Sequence, residues 1–270
     1  MTAPDLDTLV GEAAAILDEV SIQFVKGHRA NPAVRKNGND FATEIDLSIE
    51  REVAESLQSL TGIGVHGEEY RYADLDTPLV WVLDPIDGTF NYAAGSPMAA
   101  ILLALLRDGQ PVAGLTWMPF TDQRYVAMVG GALSCNGVEM PPLSVCSLAD
   151  SIVGVGTFNV DSGGRLPGRY RLAIFEQLTR VCSKVRMHGS TGIDMAFVAA
   201  GILGAAISFG GKVWDHAAGV ALVRAAGGTV TDIDGKPWTQ ASRSIVAAAP
   251  GAYDEVMDVV ATVGNPEDYR

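Results

Sequence analysis

At 270 residues, 48% of them apolar, the chain can bury a large core as one α/β unit or as two lobes sharing a sheet, and its composition argues against disorder. Its 32 acidic residues against 19 basic ones leave a net charge of -13, which argues against a basic patch for nucleic acid or an anionic membrane. Three scattered cysteines, Cys135, Cys146 and Cys182, are too few for a disulfide framework or a thiolate metal site.

Apolar residues at helical spacing (Leu6, Leu9, Val10, Ala13, Leu17, Val20, Phe24) predict an opening amphipathic helix over residues 6–28. Asn31-Pro32 and Lys36-Asn37-Gly38-Asn39 break it with turn chemistry and predict a mobile loop. A second helix follows, with Ile45, Ile49, Val53, Leu57 and Leu60 on one stripe, Asp40 or Thr43 as its cap and Asp46 in its first turn. A short strand over 63–66 ends at Gly67-Glu68-Glu69, and the apolar run over 79–83 predicts a buried strand that delivers Asp84 to its edge. There Pro85 removes a ladder donor and Gly88 permits a turn, so Asp84 and Asp87 are expected on a tight bend.

Residues 98–106 and 111–118 flank a predicted hairpin, with another strand over 124–129. The run over 98–106 is strongly apolar but far shorter than the roughly 20 residues a membrane helix needs. No N-terminal stretch has the basic-then-apolar pattern of a signal peptide, so a soluble, cytoplasmic protein is expected. Thereafter strands (151–157, 184–188, 205–209, 244–249) alternate with helices (169–181, 193–200, 215–226, 252–263). That change of pattern predicts an α+β lobe over residues 1–140 and a layered α/β lobe over 141–270.

The chemistry concentrates at four element ends. Asp84 and Asp87 stand beside Thr89; Glu68 ends a strand; Asp215 opens an Ala-rich helix in Trp214-Asp215-His216-Ala217-Ala218-Gly219. Taken singly, Asp215 reads as a helix N-cap and Glu68-Glu69 as a solvated turn. Jointly, four acids at four element ends make the oxygen-rich cluster that Mg²⁺ prefers. A phosphate ester repels an attacking hydroxide, and carboxylates alone would worsen that, so the reading requires cations. Two Mg²⁺ roughly 3.5–4 Å apart would bind phosphoryl oxygens and activate a water. Thr89 would orient that water while Asp46 accepts the Thr89 proton.

Competing readings fit less well. Haloacid-dehalogenase-like phosphatases also end a motif in Asp-Gly-Thr, but they place one residue between their acids, whereas Asp84 and Asp87 have two between them. An EF-hand fails because Thr89 stands where Gly is required. The four histidines do not pair at ligand spacing; His66 and His216 flank acidic motifs and read as structural.

Asp40-x-x-Thr43-x-x-Asp46, Gly67-Glu68-Glu69, Asp84-Pro85-Ile86-Asp87-Gly88-Thr89 and Trp214-Asp215-His216-Ala217-Ala218-Gly219 together resemble the inositol monophosphatase family, in the family's order and across nearly the whole chain. The resemblance implies a layered α-β-α-β-α sandwich of the inositol monophosphatase and fructose-1,6-bisphosphatase type. It also implies Mg²⁺-dependent hydrolysis of a small phosphomonoester, lithium inhibition and a homodimer. Carried over, it makes Glu68, Asp84 and the Ile86 carbonyl ligands of one metal, and Asp84, Asp87 and Asp215 ligands of a second, with a third near Glu68. It places Gly88 and Thr89 amides on the phosphate and Gly189, Ser190, Thr191 and Asp215 at the rest of the substrate. Lys36 looks like the family's loop lysine, with a spacing to Asp40 one residue shorter than the family's. Ser208 stands where inositol-preferring members usually carry Glu, so histidinol phosphate, fructose 1,6-bisphosphate and adenosine 3',5'-bisphosphate stay open as substrates. A regulatory binding protein that keeps the fold is the reading of a different class.

Overall fold

A computed structural model describes residues 5–36 and 41–270. Helix α1 (Leu6–Lys26) starts at Asp5, whose carboxylate accepts the Thr8 amide. Strands β1 (Pro32–Arg35) and β2 (Phe41–Thr43) pair antiparallel ahead of α2 (Glu44–Thr61). The segment predicted as a loop therefore contains a strand, while Asp40 lies outside the described residues. Thr43 is the cap of α2: its side chain accepts from the Ile45 and Asp46 amides, and the Asp46 carboxylate returns to the Thr43 amide at 2.8 Å.

The first sheet runs in the order β3 (Val65–Gly67), β4 (Leu79–Asp87), β5 (Ala100–Arg107), β6 (Gln110–Met118), β7 (Gln123–Met128), β8 (Ser134–Cys135), β9 (Val138–Glu139). Only β3 and β4 pair in parallel. The short helix α3 (Thr89–Ala94), which the sequence did not predict, follows β4. Strand β10 (Ile152–Val155), α4 (Gly168–Val181), β11 (Lys184–Arg186), α5 (Thr191–Ala199), β12 (Ala205–Ser208), α6 (Val213–Ala225), β13 (Thr229–Thr231), β14 (Ile245–Ala248), α7 (Ala252–Val263) and a 3-10 turn (Pro266–Tyr269) complete the chain. The second sheet has the order β11-β10-β12-β14-β13, parallel around β10 and antiparallel around β14.

Alternation along the strands builds the layers. Trp81, Leu83, Ile101, Leu103 and Leu105 pack on the stripes of α1 and α2. Val80, Val82, Leu102 and Leu106 point the other way, onto α5, α6 and the near face of the second sheet. The far face of that sheet, through Val153, Val155, Ile207 and Val246, packs on α4 and α7. The result is a five-layer α-β-α-β-α sandwich whose central helical layer is mostly buried. Strands buried on both faces read as continuous apolar runs, which is why residues 98–106 look membrane-like; no helix among the described residues is long and apolar enough to cross a membrane.

Gly114 on β6 lets α6 approach closely. An added Cβ there would overlap the Ala218 carbonyl oxygen and sit 2.8 Å from the Ala221 Cβ. Backbone cannot yield as a flexible side chain does, so Gly114→Ala is expected to cost about 1–3 kcal/mol. That lowers the unfolding midpoint by about 2–4 °C per kcal/mol. An unchanged midpoint by calorimetry would mean that α6 is free to slide.

Candidate active site

The expected bend after Asp84 is a bulge inside a continuing strand. Asp84 pairs with Leu102 and Asp87 with Ala100, so three steps along β4 match two along β5. Pro85 has no N–H to give, and the Ile86 amide donates to Asp84 Oδ1 at 3.0 Å rather than to the neighbouring strand. The extra residue has a chemical consequence. In a regular strand, residues three apart face opposite sides; the bulge turns both Asp84 and Asp87 into the same cleft.

That cleft measures about 490 Å³. Glu68, Asp84, Ile86, Asp87, Gly88 and Thr89 line it from the first sheet's side, and Gly189, Ser190, Thr191, Ser208 and Asp215 line it from the second half of the chain. Asp215 is the third residue of α6 rather than its cap, since the helix begins at Val213 and Lys212 holds the cap position. Asp46 stands behind Thr89. The Thr89 hydroxyl donates to the Ile86 carbonyl at 3.0 Å and lies 3.4 Å from Asp46 Oδ1, so its single proton favours the carbonyl here. Asp46 is fully buried and also accepts the Thr43 hydroxyl at 2.5 Å.

The cleft is electrostatically loaded. Burial drives the Asp84 carboxyl well above its ordinary range, and the charges of Glu68, Asp87, Asp215 and Asp46 push it further. Asp87 is raised to about 7 by burial, against the opposing pull of the Ser190 hydroxyl and the Gly192 amide, with Asp194 and Glu68 adding repulsion. Asp46 is raised to about 6, again by burial first, with the Thr43 bonds opposing. Lys36 meets this charge at the rim: its Nζ lies 2.8 Å from Glu68 Oε1 and 2.5 Å from Glu69 Oε1. Burial works against the Lys36 charge, but the two glutamates outweigh it and hold the ammonium on. For Glu69 burial outweighs Lys36, and its carboxyl rises to about 7.

Among the described residues, no three acid, histidine or cysteine side chains are gathered as a closed metal cage. The donor chemistry nevertheless suits a hard divalent cation: carboxylates and a peptide carbonyl, all oxygen, share one cleft and repel one another. A cation there would relieve the repulsion that lifts Asp84.

Four residues that sequence reasoning did not single out shape the site. Glu50 of α2, fully buried, accepts the Glu69 amide at 2.9 Å and the Tyr70 amide at 2.5 Å, holding the turn that aims Glu68. Asp194 of α5 lines the cleft and lies 2.5 Å from His188 Nδ1. Asn91 donates to the carbonyls of Met98 and His188, both at 2.7 Å, and so ties α3 to the segment that leads into Gly189. Glu50 could have been found as an acid beside the apolar stripe of α2, and Asp194 as the one acid in Thr191-Gly192-Ile193-Asp194-Met195-Ala196-Phe197. For His188 and Asn91, partners 97 and six residues apart in sequence leave no local signal.

The profile of the inositol monophosphatase family matches residues 4–263. An inositol-1-monophosphatase, ImpA, of Mycolicibacterium smegmatis is 65% identical over 264 residues, covering 98% of this chain and 96% of the relative. A probable inositol 1-monophosphatase of Mycobacterium tuberculosis is 64% identical over 261 residues, covering 97% of each. The solved structure of a Thermotoga maritima IMPase superimposes with a TM-score of 0.86 at 26% identity, covering 98% of this chain and 100% of that one. Layering, relatives and family profile together define a phosphoric monoester hydrolase. The chain belongs to the inositol monophosphatase family.

Proposed function

We propose that this chain is a Mg²⁺-dependent inositol-1-monophosphatase. The observation that carries the reading is 65% identity to such an enzyme along 98% of the chain. The supporting geometry is the single cleft that Glu68, Asp84, Asp87 and Asp215 line together. In this reading Glu68, Asp84 and the Ile86 carbonyl hold one Mg²⁺, Asp84, Asp87 and Asp215 hold a second, and a third binds near Glu68. Bound Mg²⁺ supplies polarisation of the phosphoryl oxygens, a lowered pKa for water and charge stabilisation of the leaving alkoxide.

The chain's own residues orient the reactants. Glu68 and Thr89 position the water. With the Ile86 carbonyl engaged as a ligand, the Thr89 hydroxyl would keep its proton and donate it in a hydrogen bond to Asp46 instead, leaving a lone pair to accept from that water. The amides of Gly88 and Thr89 receive the phosphate. Gly189, Ser190, Thr191 and Asp215 contact the alcohol portion. Thr191 Oγ1 and Ser208 Oγ, 3.3 Å apart, form a hydroxyl pair that can both donate to and accept from a polyol. The neutral pair in place of Glu is the feature that favours the second reading, a same-fold phosphatase for histidinol phosphate, fructose 1,6-bisphosphate or adenosine 3',5'-bisphosphate.

The proposal extends to a cytoplasmic, lithium-sensitive homodimer whose lobes divide near residue 140, the first carrying most cation ligands and the second Asp215 and the substrate contacts. Phosphate release from myo-inositol 1-phosphate tests the reading. Activity should vanish on exhaustive chelation and return with Mg²⁺. Turnover that survives chelation overturns the cation assignment, and a better kcat/KM on one of the other three esters reassigns the substrate. No hydrolysis across the whole set, with a stoichiometric macromolecular partner, would make it a regulatory binding protein.

A further inference from the structure

Behind the 210–212 wall of the cleft lies a second cavity, of about 470 Å³, whose charge is opposite to that of the chain. Arg71, Lys212 and Arg243 line it and none of its lining residues is acidic, in a protein where acids outnumber bases 32 to 19. Two of the cations address one indole: Lys212 Nζ lies 4.9 Å and Arg71 Cζ 5.9 Å from the Trp214 ring centroid. Among the described residues, none of the three has an ion-pair partner.

Arg243 is exposed, but the base of its side chain rests on the Gly211 backbone. A Cβ on Gly211 would come within 3.0 Å of its Cα and Cδ, so the backbone next to Lys212 rests directly on this arginine. Trp214 is only 6% exposed, so its indole gives Lys212 and Arg71 a fixed platform. The three cations are solvent-exposed and share one cavity mouth, and a multivalent anion there would meet all three charges at once. Lys212 lines both cavities, which makes them neighbours through one side chain.

We propose that the cavity formed by Arg71, Lys212, Trp214 and Arg243 is a second phosphate-binding site beside the catalytic cleft. Its ligand is a phosphate dianion, either free or carried as the non-reacting phosphate of a bisphosphorylated substrate. Two guanidinium groups lining one cavity suit it, because their forked donors match phosphate oxygens. The proposal takes from the phosphomonoester reading only the chemistry of its ligand.

The test is calorimetric titration of inorganic phosphate into the full-length chain at low ionic strength in excess chelator. With cations removed, the carboxylates of the catalytic cleft repel phosphate, so binding reports the basic cavity. The expected result is saturable binding that weakens at least about tenfold in the Arg71→Gln, Arg243→Gln double variant and is largely kept by Arg71→Lys, Arg243→Lys, following the loss of charge-assisted bonds. Should the double variant misfold, Arg243→Gln alone is expected to weaken binding severalfold. No saturable binding by the wild type, or binding undiminished in a folded glutamine variant, overturns the proposal.

The source of the phosphate is read with Mg²⁺ present. A KM that rises in the variant for a polyol bisphosphate but not for its monophosphate assigns the group to substrate; unchanged KM for both assigns it to free phosphate. Hydrolysis is not needed for the chelator experiment, so this site and the substrate reading fail separately.

Discussion

Asp87→Asn is expected to lower kcat/KM by about 1,000-fold or more while leaving the fold intact. Asp87 Oδ2 already accepts the Ser190 hydroxyl at 2.5 Å and the Gly192 amide at 2.6 Å. An asparagine must turn its only acceptor oxygen to those two donors, which forces its NH₂ into the cleft. The substitution therefore removes a negative charge and also presents positive hydrogens where a cation is proposed to sit. The same change relieves repulsion with Asp84 and Asp194, both of them buried acids close enough to perturb or be perturbed by Asp87. Calorimetry in chelator should thus give an unfolding midpoint equal to or above that of the wild type. Wild-type turnover in this variant would remove Asp87 from the site, and a collapsed midpoint would make its role structural.

Glu50→Ala should damage both stability and catalysis without touching substrate. The side chain is fully buried, and its two amide partners are the first residues beyond Glu68. Burial raises the Glu50 carboxyl to about 7; the two amides oppose the shift, and Glu69 and Glu68 add to it. Truncation strands two part-buried donors, at up to about 1–3 kcal/mol each, and relief of the buried charge returns part of this. A net loss of about 3 kcal/mol lowers the midpoint by about 6–12 °C. Because the turn then no longer aims Glu68, kcat/KM should fall about 10–100-fold, with a rightward shift of the Mg²⁺ activation curve. Glu50→Gln, which can accept one amide but not both, should fall between. An alanine variant with an unchanged midpoint and unchanged Mg²⁺ curve would show that the turn holds itself.

The two experiments separate a residue that faces the reactants from one that positions such a residue, and the difference was not equally visible in sequence. Asp87 announces itself: an acid beside Pro85 and Gly88 at the end of an apolar run has few structural reasons to be there. Glu50 sits beside the apolar stripe of a helix rich in acids, a weak signal of burial, and only packing shows which amides it holds.

What the chain order alone determined is the chemistry of the side chains and the local periodicities. Apolar spacing of about 3.6 and of 2 marked most of the helices and strands, and the grouping of Glu68, Asp84, Asp87 and Asp215 at element ends marked the acid-lined cleft, because both depend on neighbours in sequence. Short elements escaped: α3 and β13 are too brief to show a period, and β1 hid in a stretch rich in turn formers. Tertiary structure decided the rest. Whether Asp84 and Asp87 share a face depends on strand register, since a bulge is defined by the partner strand β5 and not by Pro85 alone. The Glu50 amide bonds, the Asn91 tie to His188 and the Arg71 contact with Trp214 join residues that are far apart in the chain. Such contacts exist only once the layers have packed, and no local pattern encodes them.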